Sequence, residues 1–527
     1  MAGHSTARRR PWRHLVPLRL RRHWKALAGA ALVVLLLAVV LGGMRVRPYV
    51  SSELVAEDTV TQNIEGEGDL FDDGEHEIEI TFNEDEYAEM LRVFREEGEK
   101  EFIRADIVID GTVLNDVGLR LKGNSTLMSL RSDGDGAAGE GGGFGAGGPG
   151  GTTLSDEEPE NLPWLISFDE YQSGRAFQGR TEIALRPGTA TSDTALNEAL
   201  ALSLTAADGQ ATQDFTFTSV AVNGGDSVPR LLLESPDEPW AAELGDGVLY
   251  KARAGGSLDY LGDDPTDYEE AFRQVNAEGS YDLTPVMRLL QFVADADDEE
   301  FATELENHLD VDSFARYLAT QALISNGDAM DGPGNNYYLW YDTDNERFTV
   351  LSWDLNLALG SMGTPGGGED TDPPEGMDPP DDMELPEGME LPDGMELPEG
   401  FEPPEGMVPP GDRELPEGME LPEEGAGGGR GSGALKERFL ADDTFQELYE
   451  RAYAELREEL IDDGVALDLL DSLTEQAGNA GDDGAAEAGE QLATQLSTIS
   501  ETPQESSMFG GGGGGGRGGQ GRTRPAA

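Results

Sequence analysis

The chain reads as an α+β fold, a β-rich half followed by a helical half, standing behind one N-terminal membrane-spanning helix. Three observations carry this. Period-two alternation dominates residues 75–233, three-to-four-residue apolar periodicity takes over from 283, and residues 26–44, ALAGAALVVLLLAVVLGGM, are nineteen uncharged and overwhelmingly apolar residues. Period two sends alternate side chains to opposite faces of a strand, whereas a 3.6 period aligns one face of a helix. Nineteen helical residues at about 1.5 Å each span a hydrocarbon core of about 30 Å.

The segments follow in order. Residues 1–25 hold eight Arg and Lys and no acid, and just beyond the apolar run stand Arg45 and Arg47. The positive-inside rule therefore keeps the N-terminus in the cytoplasm and sends the body outside as a single-pass membrane protein. A cleaved signal peptide, which would make the body secreted, is the competing reading; the run is longer than a usual signal core and no small-x-small site follows it. An acidic juxtamembrane linker, 45–74, leads to the folded body at 75–370.

Within that body, EIEITFNEDEYAEMLRVFREEG after His76 gives a strand and then an amphipathic helix with Tyr87, Met90, Leu91 and Phe94 on one face. Strands are expected at Ile103–Ile109 and Val117–Lys122, and a Gly-rich excursion, 134–151, then interrupts the sheet. That excursion lacks the strand-before, helix-after context of a phosphate loop. The better candidate for a phosphate-covering turn is Gly123-Asn124-Ser125-Thr126, whose N–H groups and hydroxyls suit anionic oxygens. Strands at Trp164–Phe168 and Thr181–Leu185, a helix at Thr194–Ala206 and strands at Phe215–Val222 and Arg230–Leu233 follow.

The helical half begins at Leu283–Val293 and Val311–Leu323 and delivers the stretch NGDAMDGPGNNYYLWYDTDNERFTVLSWDLNLALG, residues 326–360. It reads as loop, strand, turn, strand, loop, a hairpin that brings Asn336 and Asp354 close together. Between Pro374 and Pro422 a proline recurs every six residues in a unit close to PEGMEL, and with the Gly-rich stretch after it this makes an extended, solvated spacer at 371–433. Helices at Leu435–Ile461 and Ala488–Leu496, within 434–500, complete the helical half, and 501–527 is a Gly-rich tail.

Composition excludes much chemistry. There is no Cys, so disulfides, thiolate nucleophiles and Cys-ligated zinc are absent. Beyond residue 25 the histidines are His76 and His308, the latter expected on a solvated helix face, which leaves no basis for a Ser-His-Asp triad or a multi-His metal centre. Catalysis in this chain falls to carboxylates, amides, Lys, Arg and a hard metal. The net charge is −69, and because residues 1–25 contribute eight positive charges the remainder carries −77. Such a body repels nucleic acid, so no nucleic-acid partner is expected. There are 31 Arg but five Lys, and two of those, Lys122 and Lys251, are candidates to meet phosphate oxygens. Acidic excess with scarce Lys suits a protein hydrated in high salt; a high-GC genome gives the same Arg bias.

The 326–360 stretch carries the chemistry. Asp328 or Asp331 in a Gly/Pro-broken loop, Asn336 and then Asp354 are hard oxygen ligands in the order used for phosphoryl transfer, where one Asp orients the acceptor hydroxyl, an Asn holds one metal and a later Asp bridges metal to phosphates. The bland alternative is a hairpin with solvated turn acids. No His-Arg precedes the first Asp, Leu355-Asn356 replaces the usual Phe-Gly, and no kinase Gly-rich loop is present.

The blocks DVGLRLKGNST, LISFDEYQSGRAFQGRTEIALRPG, ALNEALALSL, GVLYKA, NGD, NNYYLWYD and LSWDLNLALG resemble the CotH family, a group named for a spore-coat protein and regarded as atypical secreted or surface protein kinases. The resemblance covers roughly residues 75–360, with a helical continuation from 434. It implies a reduced kinase-like two-lobed fold with a β-rich N-lobe and a helical C-lobe, ATP with Mg²⁺ or Mn²⁺, and a protein substrate phosphorylated on Ser or Thr. It puts the metal-binding Asp on Asp354 with Asn336 assisting, and the catalytic Asp on Asp328 or Asp331. Lys122 or Lys251, Asn124, Ser125 and Glu234 fall on the nucleotide side. Glu198 is either the helix Glu that positions a Lys or a surface residue on an exposed helix face. A non-catalytic coat or envelope protein with the same fold is the alternative, and a carboxylate-based hydrolase is a third reading that no spacing singles out.

Overall fold

Alternation in the first half of the chain folds into strands, of which Ile103–Ile109 and the strand before it part odd and even residues between core and solvent, while Trp164–Ser167 and Glu182–Leu185 are buried on both faces. The computed structural model describes residues 60–123, 125–131, 154–189, 192–254, 256–330, 332, 335–360 and 434–503, all within the unit Ala56–Ala527. The apolar run 26–44 and its flanks, the Gly-rich excursion 134–151, the hexad spacer, the Gly-rich tail, and two candidate site residues, Asn124 and Asp331, lie outside the described residues. No helix among the described residues is long and apolar enough to cross a membrane.

A short strand β1 (Gln62–Ile64) precedes β2 (His76–Phe82), which alternates buried and exposed along its whole length. Helix α1 (Glu84–Glu97) starts where Asn83 accepts from the N–H groups of Asp85 and Glu86, stops at a left-handed Gly98, and buries Met90, Leu91, Val93 and Phe94. The strands β3 (Ile103–Ile109), β4 (Thr112–Leu121), β5 (Trp164–Ser167), β6 (Arg175–Phe177), β7 (Glu182–Leu185), β8 (Phe215–Val222) and β9 (Val228–Glu234) follow. β1 pairs with β6 apart from the main sheet. The others close into a seven-stranded barrel in the order β2-β3-β4-β5-β7-β9-β8, sealed by parallel pairing of β2 with β8. Ile78, Ile107, Leu119, Trp164, Ile183 and Val220 belong to the core cluster that fills it.

Helix α2 (Leu196–Ala207) runs between β7 and β8 in sequence and is buried nearly all round, with Leu196, Glu198, Ala199, Leu200, Ala201 and Leu202 all out of solvent. A helix buried on most of its faces belongs inside a structure, and its buried Asn197 and Glu198 are hydrogen-bonded there. It shares one core cluster with residues of the barrel and of a second, four-stranded sheet ordered β11-β10-β12-β13. Those strands are β10 (Gly247–Ala252), β11 (Phe272–Gln274), β12 (Tyr337–Asp342) and β13 (Arg347–Ser352). β12 and β13 are the expected hairpin, paired from Tyr337↔Ser352 to Asp342↔Arg347, with the turn held by Asp342, which accepts from Asp344 and Asn345.

Helices α3 (Thr284–Asp295), α4 (Asp298–Glu304) and α5 (Val311–Leu323) lie between β11 and β12 in sequence, and α6 (Ala434–Ala441), α7 (Asp443–Leu456), α8 (Val465–Asn479) and α9 (Ala485–Ser497) come after the spacer. The single helix expected over Leu435–Ile461 is broken, because Asp442 caps a new one by accepting from Thr444 and Phe445 N–H. Residues Arg457–Asp462 then widen into a π-helical turn. Helix α8 was not anticipated, although Ala466, Leu470, Leu473 and Ala477 mark its buried face at helical spacing. His308 is not mid-helix: it follows a 3-10 turn and stacks on Phe292 with ring centroids 4.2 Å apart.

Candidate functional site

Three strand ends and one strand face converge on a single cluster of charge. β4 and β7 flank β5, and each is antiparallel to it, so their C-terminal ends emerge side by side and present Lys122 and Arg186. Lys251, on β10, is cross-strand partner to Arg273 on β11 and Tyr338 on β12. Asp354 follows β13. The indole of Trp353 links these groups, with Lys251 Nζ 4.2 Å and Lys122 Nζ 5.2 Å from its ring centroid, and Tyr338 meets the same ring edge-on at 5.3 Å. An aromatic face shared by two ammonium groups offsets part of their repulsion.

Burial and like charge mark both lysines. Desolvation, with Arg186 and Lys251 nearby, pulls Lys122 down to about 7; desolvation, with Arg273 and Arg186 nearby, pulls Lys251 down to about 8. Arg186 differs. Burial lowers its pKa, but the carboxylates of Asp354 and Glu198 outweigh that and hold it raised. Its Nε donates to Glu198 Oε1 at 3.0 Å, and Nη2 bridges Glu198 and Asp354. Glu198 is 1% exposed; the surface alternative therefore fails, and the cation it positions is Arg186 and not a lysine. Desolvation keeps the Glu198 carboxyl raised against the pull of Arg186, and its Oε2 is buried with no hydrogen-bond partner.

Asp328 lies in the segment that leads into β12. Asp328, 9% exposed, accepts from the Asn336 side-chain amide at 2.8 Å. Its own N–H is held by Asn326 Oδ1 at 3.2 Å. Asn326 in turn donates to Gln321 Oε1 at 2.8 Å, and Gln321 donates to Ser352 Oγ at 2.8 Å, two residues before Asp354. This chain of amides ties the Asp328 loop to the end of β13. Asn335 anchors the same loop to the residues after β10 by donating to Arg253 O at 3.2 Å and Gly256 O at 2.6 Å. Ser325, Asn335, Asp354 and Leu359 all adopt left-handed backbone conformations near φ of 48 to 56°, a concentration of strain typical of functional loops.

The other candidates divide. The turn after β4 needs Gly123, whose φ is +102° and whose Cβ, if it had one, would sit 2.6 Å from Thr126 Oγ1. Ser125 opens a 3-10 turn there. Glu234 ends β9, pairs with Arg180 at 2.8 Å, and is pushed up to about 7 by desolvation against that Arg. Its partners are Arg180, Asp214 and Gln213, not the lysines. Arg186 escaped the sequence reading because nothing in RPG separates it from 30 other arginines.

Among the described residues no three His, Asp or Glu side chains are grouped for a metal. Two lysines, two arginines and an aromatic face, set among the carboxylates of Asp354, Glu198 and Glu182, fit a polyanion held together with a cation. A divalent ion bound here with that polyanion would draw on Asp354 and Asn336 and take its remaining oxygens from phosphate and water, as Mg²⁺ commonly does.

The family profile described as CotH kinase protein matches residues 142–489. The inner spore coat protein H of Bacillus subtilis (strain 168) is 29% identical over 204 residues, 37% of this chain and 54% of that protein. The chain thus spans about half the length of this curated relative.

Proposed function

This chain belongs to the CotH family, and from that premise we propose that it is a metal-dependent protein kinase working outside the cytoplasm, which transfers the γ-phosphate of ATP to Ser or Thr of surface or secreted proteins. The observation that carries the reading is the meeting of Lys122, Lys251 and Arg186 with Asp354 on one side of the second sheet, while Asp328 and Asn336 are tied to the same strand end through Asn326, Gln321 and Ser352. A Mg²⁺ or Mn²⁺ ion bound with ATP would neutralise charge on the phosphates. Lys122 and Lys251 would bind phosphate oxygens as charged donors from a poorly solvated wall, where each contact is strong. Asp354 would orient the metal and Asn336 would assist. Asp328, fixed by its bond to Asn336, would align the acceptor hydroxyl and take its proton. Asp331 remains the alternative acceptor-side carboxylate.

The same proposal includes a two-lobed kinase-like division of the body, a β-rich N-lobe and a helical C-lobe. The apolar run 26–44 with its basic flank supports a single-pass anchor that leaves this body on the outer side, or a secreted body if the run is cleaved. The relative's name, a spore-coat component, favours a second reading in which the fold serves coat or envelope contacts without catalysis.

Incubating the full chain with γ-labelled ATP, Mg²⁺ or Mn²⁺ and a generic protein acceptor separates the two. A kinase transfers label, and Asp354→Asn abolishes transfer without unfolding the protein. Absence of both transfer and nucleotide binding at low and high salt would leave the structural reading.

A further inference from the structure

Arg186 joins the two carboxylates of the site, Glu198 and Asp354, by hydrogen bonds. Its guanidinium gives two N–H groups to Glu198 Oε1 and reaches Asp354 Oδ1 with one of them. Its backbone is fixed in turn. The Arg186 N–H donates to Leu231 O at 2.9 Å, and its carbonyl accepts from Arg230, a side chain 1% exposed that also donates to Leu162 O at 2.9 Å.

At the other end of the contact, Asp354 turns out of β13 at φ 54° and ψ 61°, a conformation that a non-glycine residue keeps only where its surroundings enforce it. The enforcement comes from α2. Glu198 receives the Arg186 fork, and its neighbour Asn197 donates to Asn356 O at 2.8 Å and Ala358 O at 3.1 Å. Leu359 N–H closes the loop on Ile324 O at 2.7 Å.

We propose that Arg186 is the positioning residue of this site: it clamps Asp354 against Glu198 in the left-handed turn, so that Asp354 meets a divalent cation already oriented and Lys122 and Lys251 stay available for phosphate. The purpose of the clamp rests on the nucleotide reading given above. The planar fork matters because Nε holds the guanidinium on Glu198 while Nη2 bridges Glu198 and Asp354; a lysine can bridge two carboxylates but lacks the second nitrogen that fixes the bridging group in place.

Hydrogen exchange on the ligand-free full chain tests the clamp directly. Arg186→Lys keeps the positive charge, yet the Ala358 and Leu359 amides are expected to exchange about tenfold faster or more as the turn loosens locally. Unchanged exchange at 353–359 overturns the proposal. Should Arg186→Lys fail to fold, Asp354→Asn retains the Arg186–Glu198 pair and reads the clamp from the other side, with the same expected rise and the same overturning result.

Calorimetry supplies the second readout. Arg186→Lys is expected to weaken Mg²⁺-ATP binding by about 10- to 100-fold, the range for a lost partner of a metal ligand. ATP binding in EDTA should change by less than about threefold, because the lysines are intact. Normal wild-type binding with an unaltered Arg186→Lys variant would remove the clamp alone. Wild-type protein that binds ATP in neither condition would remove the nucleotide reading, and the purpose of the clamp with it.

Discussion

Asn336 donates its side-chain amide to Asp328 Oδ2 at 2.8 Å within the segment that leads into β12. The two residues belong to one device, since the same loop is bound through Asn326 and Gln321 to Ser352 on β13. Asp328→Asn should lower label transfer by about 10²- to 10⁴-fold, the usual loss with a general base, while the protein still binds ATP. Asn336→Ala should cost less transfer but weaken metal dependence. Asp328→Asn at wild-type rate would move the catalytic role to Asp331.

The depressed lysines make ATP binding a proton-uptake event. Lys122 and Lys251 sit near 7 and 8 in the ligand-free protein, against about 10.5 for a solvated lysine. Phosphate bound beside them favours the charged forms. Calorimetry near pH 8 in buffers of differing ionisation enthalpy should therefore register net proton uptake, and affinity should fall as pH rises from 7 to 9. A binding enthalpy independent of buffer would contradict the placement of phosphate on these lysines.

The same shifts act on stability with a definite sign. The unfolded chain holds these two protons more tightly than the folded one, so their contribution rises with pH from about 7 to 10 and is lost as pH falls through 8 and 7. Lys122→Met and Lys251→Met should each flatten that slope in urea unfolding measured at pH 7, 8 and 9. Equal slopes in variant and wild type would show that the lysines titrate normally.

Asp482 braces the site from the far end of the chain. It is 3% exposed and accepts from Ser192 Oγ at 2.8 Å, Thr194 Oγ1 at 2.7 Å and Thr194 N–H at 3.1 Å, in the loop that enters α2, whose first turn carries Glu198. Asp482→Ala leaves those donors unsatisfied and should lower stability by about 2–4 kcal/mol, read from the urea midpoint at constant m. A loss under about 0.5 kcal/mol would show that the loop finds other partners.

Salt is the last lever. A body carrying −77 repels itself, and the Debye length shrinks from about 10 Å at 0.1 M to about 3 Å at 1 M. The thermal midpoint should climb across that range. A flat response would assign the Arg-for-Lys bias to genome composition.

The strands at Ile103–Ile109 and Phe215–Val222 and the helix at Val311–Leu323 were legible to the residue, because alternation and 3.6 periodicity are local properties of the chain. The hairpin that sets Asn336 beside the end of β13 was legible for the same reason. The break at Asp442 and the helix Val465–Asn479 had signals of their own, a capping Asp and four spaced apolar residues, that the acidic surroundings obscured.

By itself, then, the sequence determined the strands and helices whose periodicity is local, the absence of cysteine chemistry and the linear order Asp328, Asn336, Asp354, all of which follow from residue type and short-range spacing. Closure of the barrel by β2 against β8, burial of Glu198, and the choice of Arg186 as its partner were decided only in three dimensions. Arg186 and Asp354 are 168 residues apart, and whether a charge at such a distance is solvated or paired depends on packing that no local pattern records.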